Sequence, residues 1–347
     1  MNSIFNYTID ELGSYFESIG DKKFRATQIF EWLYRFRVNS FAQMTNVPKK
    51  ALAHLEENFV IDSLNIVRLQ KASDGTRKYL FELSDGKLVE TVLMRHHYGK
   101  SICVSTQVGC NMGCAFCASG ELGKVRNLEL SEIVLQVLMV QKDLDLENER
   151  ISNIVVMGTG EPFDNYDNLL RFLSVVNYPK GLEIGARHIT VSTCGIVPKI
   201  KEFARFPLQI NLAISLHASN DEVRSQIMKI NRKYKINDIM DAIKEYLSLT
   251  NRRVTFEYIL IKDVNDSLTH AEELAKLLKD TLCYVNLIPY NEVSTKPFKQ
   301  TTHEHAEKFF SVLRRKGINA TLRMEHGADI DAACGQLRAK VLKENKE

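Results

Sequence analysis

From about residue 100 onward, short apolar runs of strand period alternate with longer runs of helix period, and this alternation constrains the fold more than any other feature. Strands are expected over Ile102–Val108, Ile151–Met157, His188–Ser192, Ile210–Leu216, Val254–Leu260, Tyr284–Ile288 and Ala320–Arg323. Between them, helices are expected over Leu130–Lys142, Tyr166–Val176, Ile196–Phe203, Asp221–Met228, Ile236–Ser248, Leu268–Lys279 and Thr302–Lys316. A helix after each strand is the crossover that lets the next strand run in the same direction, so the pattern reads as parallel βα units. About six units are too few to close a barrel of eight. The expected fold class is therefore α/β, an open, partial TIM-like barrel. Its chemistry belongs at the C-terminal ends of the strands.

Two smaller regions precede this core. Residues 1–60 read as helical, with Ile9, Leu12, Tyr15 and Phe16 at helix spacing and Ile29, Trp32, Leu33 and Phe36 likewise. Lys22, Lys23, Arg25, Arg35, Arg37, Lys49 and Lys50 are interleaved there with Phe24, Phe30, Tyr34 and Phe41. That mixture suits either an RNA-contacting module or a small helical bundle with solvated lysines. Residues 61–98 change period, and three alternating runs joined at Ser73-Asp-Gly and Ser84-Asp-Gly read as a small antiparallel sheet. Residues 99–347 form the barrel core together with a C-terminal loop that carries a cysteine.

Within the core, Cys110-Asn-Met-Gly-Cys114-Ala-Phe-Cys117 follows the first barrel strand. Gly113 and Ala115 let the loop curl so that three sulfurs converge. Iron–sulfur cubes are held by cysteine thiolates, usually four. Three close cysteines leave one iron with an open position for a substrate. A zinc loop lacking its fourth ligand and a set of buried thiols are the alternatives. Zinc sites favour paired C-x2-C motifs across a longer gap, and no second pair is present.

Other polar residues fall at strand ends. Gly158-Thr-Gly160-Glu161-Pro162 offers a backbone that a ligand can approach and a carboxylate that can accept an amine; Ser192, the run Ser215-Leu216-His217, and Asn291 lie at comparable places. Each has an ordinary reading as a cap or turn residue. Cys103 lies in the strand before the cysteine loop, and Cys334 lies among Ala332, Ala333 and Gly335 near the C-terminus. A lone cysteine is by default a small buried hydrophobe, although small neighbours suit an accessible nucleophile. Glu90, on the last antiparallel strand, reads on its own as a solvent-facing carboxylate.

The three-cysteine spacing, with an aromatic residue before the last cysteine, resembles the radical S-adenosylmethionine (SAM) superfamily. Adding Gly-Glu-Pro, Ser-Leu-His-Ala, Val-Asn-Leu-Ile-Pro-Tyr-Asn and Asp-Ile-Asp-Ala-Ala-Cys-Gly-Gln-Leu makes the chain resemble the RlmN/Cfr family of radical SAM RNA methyltransferases over essentially its whole length. The resemblance implies a [4Fe-4S] cluster on Cys110, Cys114 and Cys117. It also implies two SAM molecules per turnover, bound by Gly160, Glu161, Ser192, Ser215, Leu216, His217 and Asn291.

The implied chemistry explains the separate cysteines. Carbon 2 of adenine has no lone pair with which to attack a methyl group. A methyl is therefore first placed on Cys334, activated there as a radical, and added to the ring. Glu90 takes the ring proton. Cys103 attacks the Cys334 sulfur to release the product, which leaves a disulfide to be reduced. The implied substrate is an adenosine of 23S rRNA in the peptidyl-transferase centre, with an adenosine beside the tRNA anticodon as a second. Carbon-8 methylation, which gives antibiotic resistance, is the alternative. Gly160-Glu-Pro162, Leu287-Ile-Pro-Tyr-Asn291 and Val108 favour carbon 2. Thr159 and Cys194 depart from the common pattern, which has Met and Ser there. A flavodoxin or ferredoxin is the implied electron donor, and a monomer is expected.

Composition adds exclusions. A net charge of +3 neither demands nor forbids a nucleic-acid partner. No apolar run is long enough for a transmembrane helix, and the first residues do not read as a signal peptide. Seven cysteines, an odd number, suit a reducing cytoplasm better than a disulfide framework.

Overall fold

The computed structural model describes residues 1–120, 123–323, 327, 329–331 and 335–344. Cys334 and the extreme C-terminal residues 345–347 lie outside the described residues. The N-terminal part contains β1 (Asn2–Ser3), α1 (Ile9–Ser18), α2 (Phe24–Phe30), α3 (Lys49–Asn58) and β2 (Phe59–Val60). It begins with a capping box in which Thr8 accepts from the Glu11 N–H and Glu11 accepts from the Thr8 N–H. The antiparallel strands β3 (Asn65–Lys71), β4 (Arg77–Glu82) and β5 (Leu88–His96) follow.

The core runs through β6 (Gly99–Cys103), the short pair β7 (Gln107–Val108) and β8 (Arg126–Asn127), α4 (Leu130–Asp145), β9 (Asn153–Val156), α5 (Tyr166–Asn177), β10 (Ile189–Thr193) and α6 (Val197–Phe203). It continues with β11 (Asn211–Ser215), α7 (Asp221–Ile227), α8 (Ile236–Thr250), β12 (Val254–Leu260), α9 (Leu268–Leu278), β13 (Cys283–Pro289), α10 (His303–Arg315), β14 (Ala320–Leu322) and α11 (Gln336–Glu344).

One ten-stranded sheet, in the order β14-β13-β12-β11-β10-β9-β6-β5-β4-β3, forms the frame. From β6 to β14 the neighbours are parallel, which gives the expected βα units and an open sheet. The sheet does not stop at residue 98. β5 pairs antiparallel with β6, with Val92 opposite Cys103, so the three antiparallel strands extend the barrel sheet. The expected strand Ile102–Val108 is two pieces, β6 and β7, separated by the turn that aims the chain into the cysteine loop.

The helical N-terminal part shares one continuous apolar core with the barrel, from Leu12 and Phe16 through Phe30 and Tyr34 to Phe172 and Val176. Phe30 meets Tyr178 edge-on at 5.4 Å. Arg37 makes a two-pronged pair with Asp145 on α4, at 2.6 and 3.0 Å. This packing revises part of the interleaved pattern. Phe30, Tyr34 and Phe41 are core residues, and Arg25 is buried beside Asp21 and Gln28. Lys22, Lys23, Phe24, Arg35, Lys49 and Lys50 remain at the surface.

The turn after β6 is fixed by Gln136 of α4, which is fully buried. Its amide oxygen accepts from the Ser105 N–H at 2.8 Å and the Thr91 hydroxyl at 2.9 Å, and its NH2 donates to the Ser105 carbonyl at 3.0 Å. Replacing Gln136 with Leu keeps the volume but strands the Ser105 N–H and carbonyl in a dry environment. The expected loss is about 3 kcal/mol, since each buried unpaired group costs roughly 1–3 kcal/mol. Urea unfolding of the cluster-free protein reads this directly, with a lower midpoint at unchanged slope.

Candidate functional site

The C-terminal ends of β9, β10, β11, β12 and β13 open onto a cavity of about 300 Å³. Cys110, Cys114 and Cys117 form one wall, and Gly160, Glu161, Ser192, Ser215 and His217 form the opposite side. Parallel register causes this convergence: every crossover helix returns the chain to the same end of the sheet, so every strand delivers its last residues to one edge.

The cysteine loop is held by its backbone. The Ala115 N–H donates to the Ile227 carbonyl at 2.8 Å, and the Cys117 N–H donates to the Cys114 carbonyl at 3.2 Å. Met112, Cys114 and Phe116 pack against Cys194, Ile227 and Met228. Burial, the largest influence, pushes the Cys110 thiol up to about 11, with the neighbouring Cys117 acting in the same direction. Cys114 is raised further for the same reason. Protein surroundings alone therefore favour the protonated thiols, and a bound metal would supply the positive charge needed to draw off the protons.

Among the described residues, no group of three or more His, Cys, Asp or Glu side chains is gathered as ligands to a single ion would be. Cys110, Cys114 and Cys117 instead line one shared cavity. That suits a cube, in which each thiolate takes a different iron.

Glu161 sits deep in the site, 4% exposed. One carboxylate oxygen accepts from the Phe163 N–H at 3.0 Å and the other from the Cys194 N–H at 2.8 Å. Burial raises its pKa, while these two backbone donors oppose the rise. Gly160 has φ +111°, and an added Cβ would lie 2.6 Å from Gln107 Cβ, so only glycine fits. Gln107 fixes the same turn by accepting from the Glu161 N–H at 2.9 Å. The Ser192 and Ser215 hydroxyls lie 3.3 Å apart on adjacent strands.

His217 is buried with φ +57°. Its Nδ1 accepts from the Ile259 N–H at 3.1 Å, which leaves the proton on Nε2. Burial, then the nearby Arg224 cation, lowers its pKa to about 3, so the ring is neutral at neutral pH. Phe116 of the cysteine loop meets the ring edge-on at 5.1 Å.

Two expected ligand residues are placed differently. Leu216 is fully buried and its side chain joins the core, because it follows Ser215 on the alternate face; only its backbone is near the site, held by its N–H to the Glu257 carbonyl at 3.1 Å. Asn291 is exposed beyond β13 and does not line the cavity.

Cys103 ends β6, is 7% exposed, and packs with Val92, Met94, Val155 and Met157. Glu90 is not solvent-facing. It is 4% exposed, and both oxygens are engaged: Oε2 accepts from the Gly335 N–H and Oε1 from the Arg338 N–H, each at 2.6 Å. Gly335, next to Cys334, has φ +83°, and an added Cβ there would lie 2.7 Å from the Ser119 nitrogen, just past the cysteine loop.

Several residues of the site were not legible in the sequence. Arg224 is fully buried and donates to the Cys194 carbonyl at 2.7 Å, the Leu216 carbonyl at 3.1 Å and the Ser215 carbonyl at 3.3 Å, tying two strand ends together. Its surroundings in sequence, Asp221 to Gln226, look like an ordinary solvated helix. Glu257 and Arg323 also line the cavity. A lone carboxylate inside the apolar run Val254–Leu260 was the available signal for Glu257. A second hollow, lined by Arg187, Arg252 and Arg253, opens at the opposite ends of the strands and contains none of these groups.

Comparison with known proteins agrees with this geometry. Residues 104–278 match the radical SAM superfamily, and residues 2–61 match the ribosomal RNA large subunit methyltransferase N-terminal domain. The chain is 57% identical over 350 residues to a probable dual-specificity RNA methyltransferase RlmN of Streptococcus suis, covering 99% of this chain and 95% of that protein. The protein of the same description from Geobacillus kaustophilus is 57% identical over 342 residues, covering 99% of this chain and 94% of that one. A crystal structure of a radical SAM methyltransferase from Sphaerobacter thermophilus superposes with a TM-score of 0.92 at 44% identity, over 97% of this chain and 99% of that one. A [4Fe-4S] cluster and SAM are the cofactors of this superfamily. The chain belongs to the RlmN family of radical SAM RNA methyltransferases.

Proposed function

We propose that this chain methylates carbon 2 of an adenosine in the peptidyl-transferase centre of 23S rRNA, and also an adenosine beside the tRNA anticodon, by way of an S-methylated Cys334. The observation that carries the reading is the seating of the chain on either side of Cys334 against the sheet face that bears Cys103, next to the three-cysteine cavity. A methyl donor and a radical source alone do not need a second pair of thiols. A methyl carrier that must later be released from carbon does.

In this reading Cys110, Cys114 and Cys117 hold the cluster. Gly160, Glu161, Ser192, Ser215, His217 and the Leu216 backbone hold SAM, and Asn291 is included on family resemblance alone. When bound, these cofactors supply a methyl group and a radical that abstracts hydrogen. Glu161 offers a fixed carboxylate to an ammonium group. Neutral His217 offers an N–H without adding charge. Cys334 carries the methyl group to the base, and the Cys103 thiolate attacks the Cys334 sulfur to free the product. The resulting disulfide must be reduced from outside, and a flavodoxin or ferredoxin supplies electrons to the cluster. Glu90, whose two oxygens each accept one backbone N–H and keep a further lone pair, receives the ring proton.

RNA reaches the site as an unstacked base. Lys229, Arg232, Lys233 and Lys235 are exposed beside the cavity, and the Lys229 stem lies against Gly113 of the cysteine loop. These cations, and the exposed Lys22, Lys23, Lys49 and Lys50 of residues 1–60, are proposed to grip phosphates. Among the described residues no helix is long and apolar enough to cross a membrane. A cytoplasmic monomer is the proposed working form.

The reconstituted enzyme, incubated with rRNA and tRNA fragments, is expected to yield 2-methyladenosine in both, read by nucleoside mass spectrometry. Detection of 8-methyladenosine alone would assign the chain to the carbon-8 branch. Cys334→Ala is expected to abolish methyl transfer while cluster absorbance stays, and Cys103→Ala to accumulate protein crosslinked to RNA. Normal methylation by the first variant, or no adduct with the second, would remove that cysteine from its role. Gly160→Ala is expected to weaken SAM binding at least tenfold in equilibrium dialysis, because the new methyl collides with Gln107 and displaces Glu161.

A further inference from the structure

Lys78 is a charged residue near the start of β4 with no exposed surface. A buried ammonium persists only where its hydrogen bonds are met and an opposite charge is close. Its Nζ lies 3.1 Å from Glu90 Oε2 and donates to the Asp331 carbonyl at 2.5 Å. Glu90 in turn accepts from the Gly335 and Arg338 N–H groups. The ion pair therefore grips the chain three residues before Cys334 and again one and four residues after it.

The register shows what this grip faces. Lys78 is opposite Val92, and Val92 is opposite Cys103, so Lys78, Val92 and Cys103 form one row across β4, β5 and β6 with side chains on the same face. Glu90, two residues along β5, shares that face. Leu80 and Leu88 of the same face pack with Leu337 and Val341 of α11. The neighbouring hairpin adds to the hold: Gln70 exchanges hydrogen bonds with Asp331 at 2.8 and 3.2 Å, and the Ser73 N–H donates to Asp329 at 2.9 Å. Apolar packing alone would hold α11 while leaving its rotation and register loose. A charged pair with directed bonds to three backbone groups fixes both.

We propose that Lys78, through Glu90 and the Asp331 carbonyl, is a positioning residue that holds Asp331, Gly335 and Arg338, the described residues on either side of Cys334, in register over the sheet face carrying Cys103. This rests on Cys334 being the methyl carrier. A Glu90 released from this clamp frees a carboxylate at the same moment as it loosens the chain beside Cys334. One side chain thus links the position of the carrier to the arrival of a proton acceptor.

The test uses the cluster-loaded enzyme with Lys78→Met, and Lys78→Arg as the variant that keeps the cation. With Lys78→Met, the Gly335 and Arg338 amides are expected to exchange hydrogen for deuterium at least tenfold faster, while peptides from α4 and cluster absorbance are unchanged. Its kcat is expected to fall at least tenfold with KM for RNA within twofold. Lys78→Arg is expected to restore most of the protection and of kcat. Wild-type exchange of those two amides in Lys78→Met, or a raised KM at normal kcat, would overturn the proposal. If Lys78→Met does not fold, Lys78→Gln, which keeps a hydrogen-bond donor without the charge and leaves Glu90 intact, takes its place with the same expectations for exchange and kcat. Failure of the carrier reading is separately visible: wild-type Cys334 would then carry no methyl by peptide mass spectrometry after incubation with SAM, whatever the exchange rates show.

Discussion

Parallel register along β6 and β9 to β13 brings the chemistry of this chain together. Residues far apart in sequence, from the cysteine loop after β6 to Ile288 near the end of β13, share one cavity because each strand ends at the same edge. The cost is that strand ends and turns there carry backbone groups that water no longer reaches. Buried side chains satisfy them: Gln136 and Gln107 at the turn into the cysteine loop, Arg224 at the ends of β10 and β11, and Glu161 on the Phe163 and Cys194 amides. Glu161 is scaffold and site at once, since the carboxylate that meets the backbone also lines the cavity.

Desolvation sets the charge states on which the site relies. The same burial that keeps Cys110 and Cys114 protonated in the metal-free chain keeps His217 neutral. A neutral ring that donates through Nε2 can sit beside a cationic ligand where an imidazolium would repel it. In the proposed function the thiols, by contrast, exchange their protons for iron.

Much of this was readable from local spacing. The βα alternation, the open sheet, the three-cysteine loop and the polar residues at strand ends depend on residues close in sequence, and Ser192, Ser215, His217, Gly160 and Glu161 do meet in the cavity. Leu216 shows the limit of a motif, since only one side of a strand end faces the cavity. Phe30 and Tyr34 show the limit of composition: interleaved with cations they resemble a stacking surface, yet they fill a core shared with α5. Arg224 had no sequence signal because a surface helix and a buried helix of such length can carry the same charges.

The sequence by itself determined which segments are strands and helices, and which thiols stand together, because hydrophobic period and ligand spacing are properties of a few consecutive residues. Only the tertiary structure decided that the face bearing Lys78, Glu90 and Cys103 is covered, rather than open to water as an alternating strand suggests. The covering helix lies more than two hundred residues further along the chain. Cross-strand register and burial by a distant element turn an apparently solvated carboxylate into half of an ion pair beside the Cys334 segment. Neither is encoded in the spacing of neighbours, since both arise only when the sheet and α11 meet.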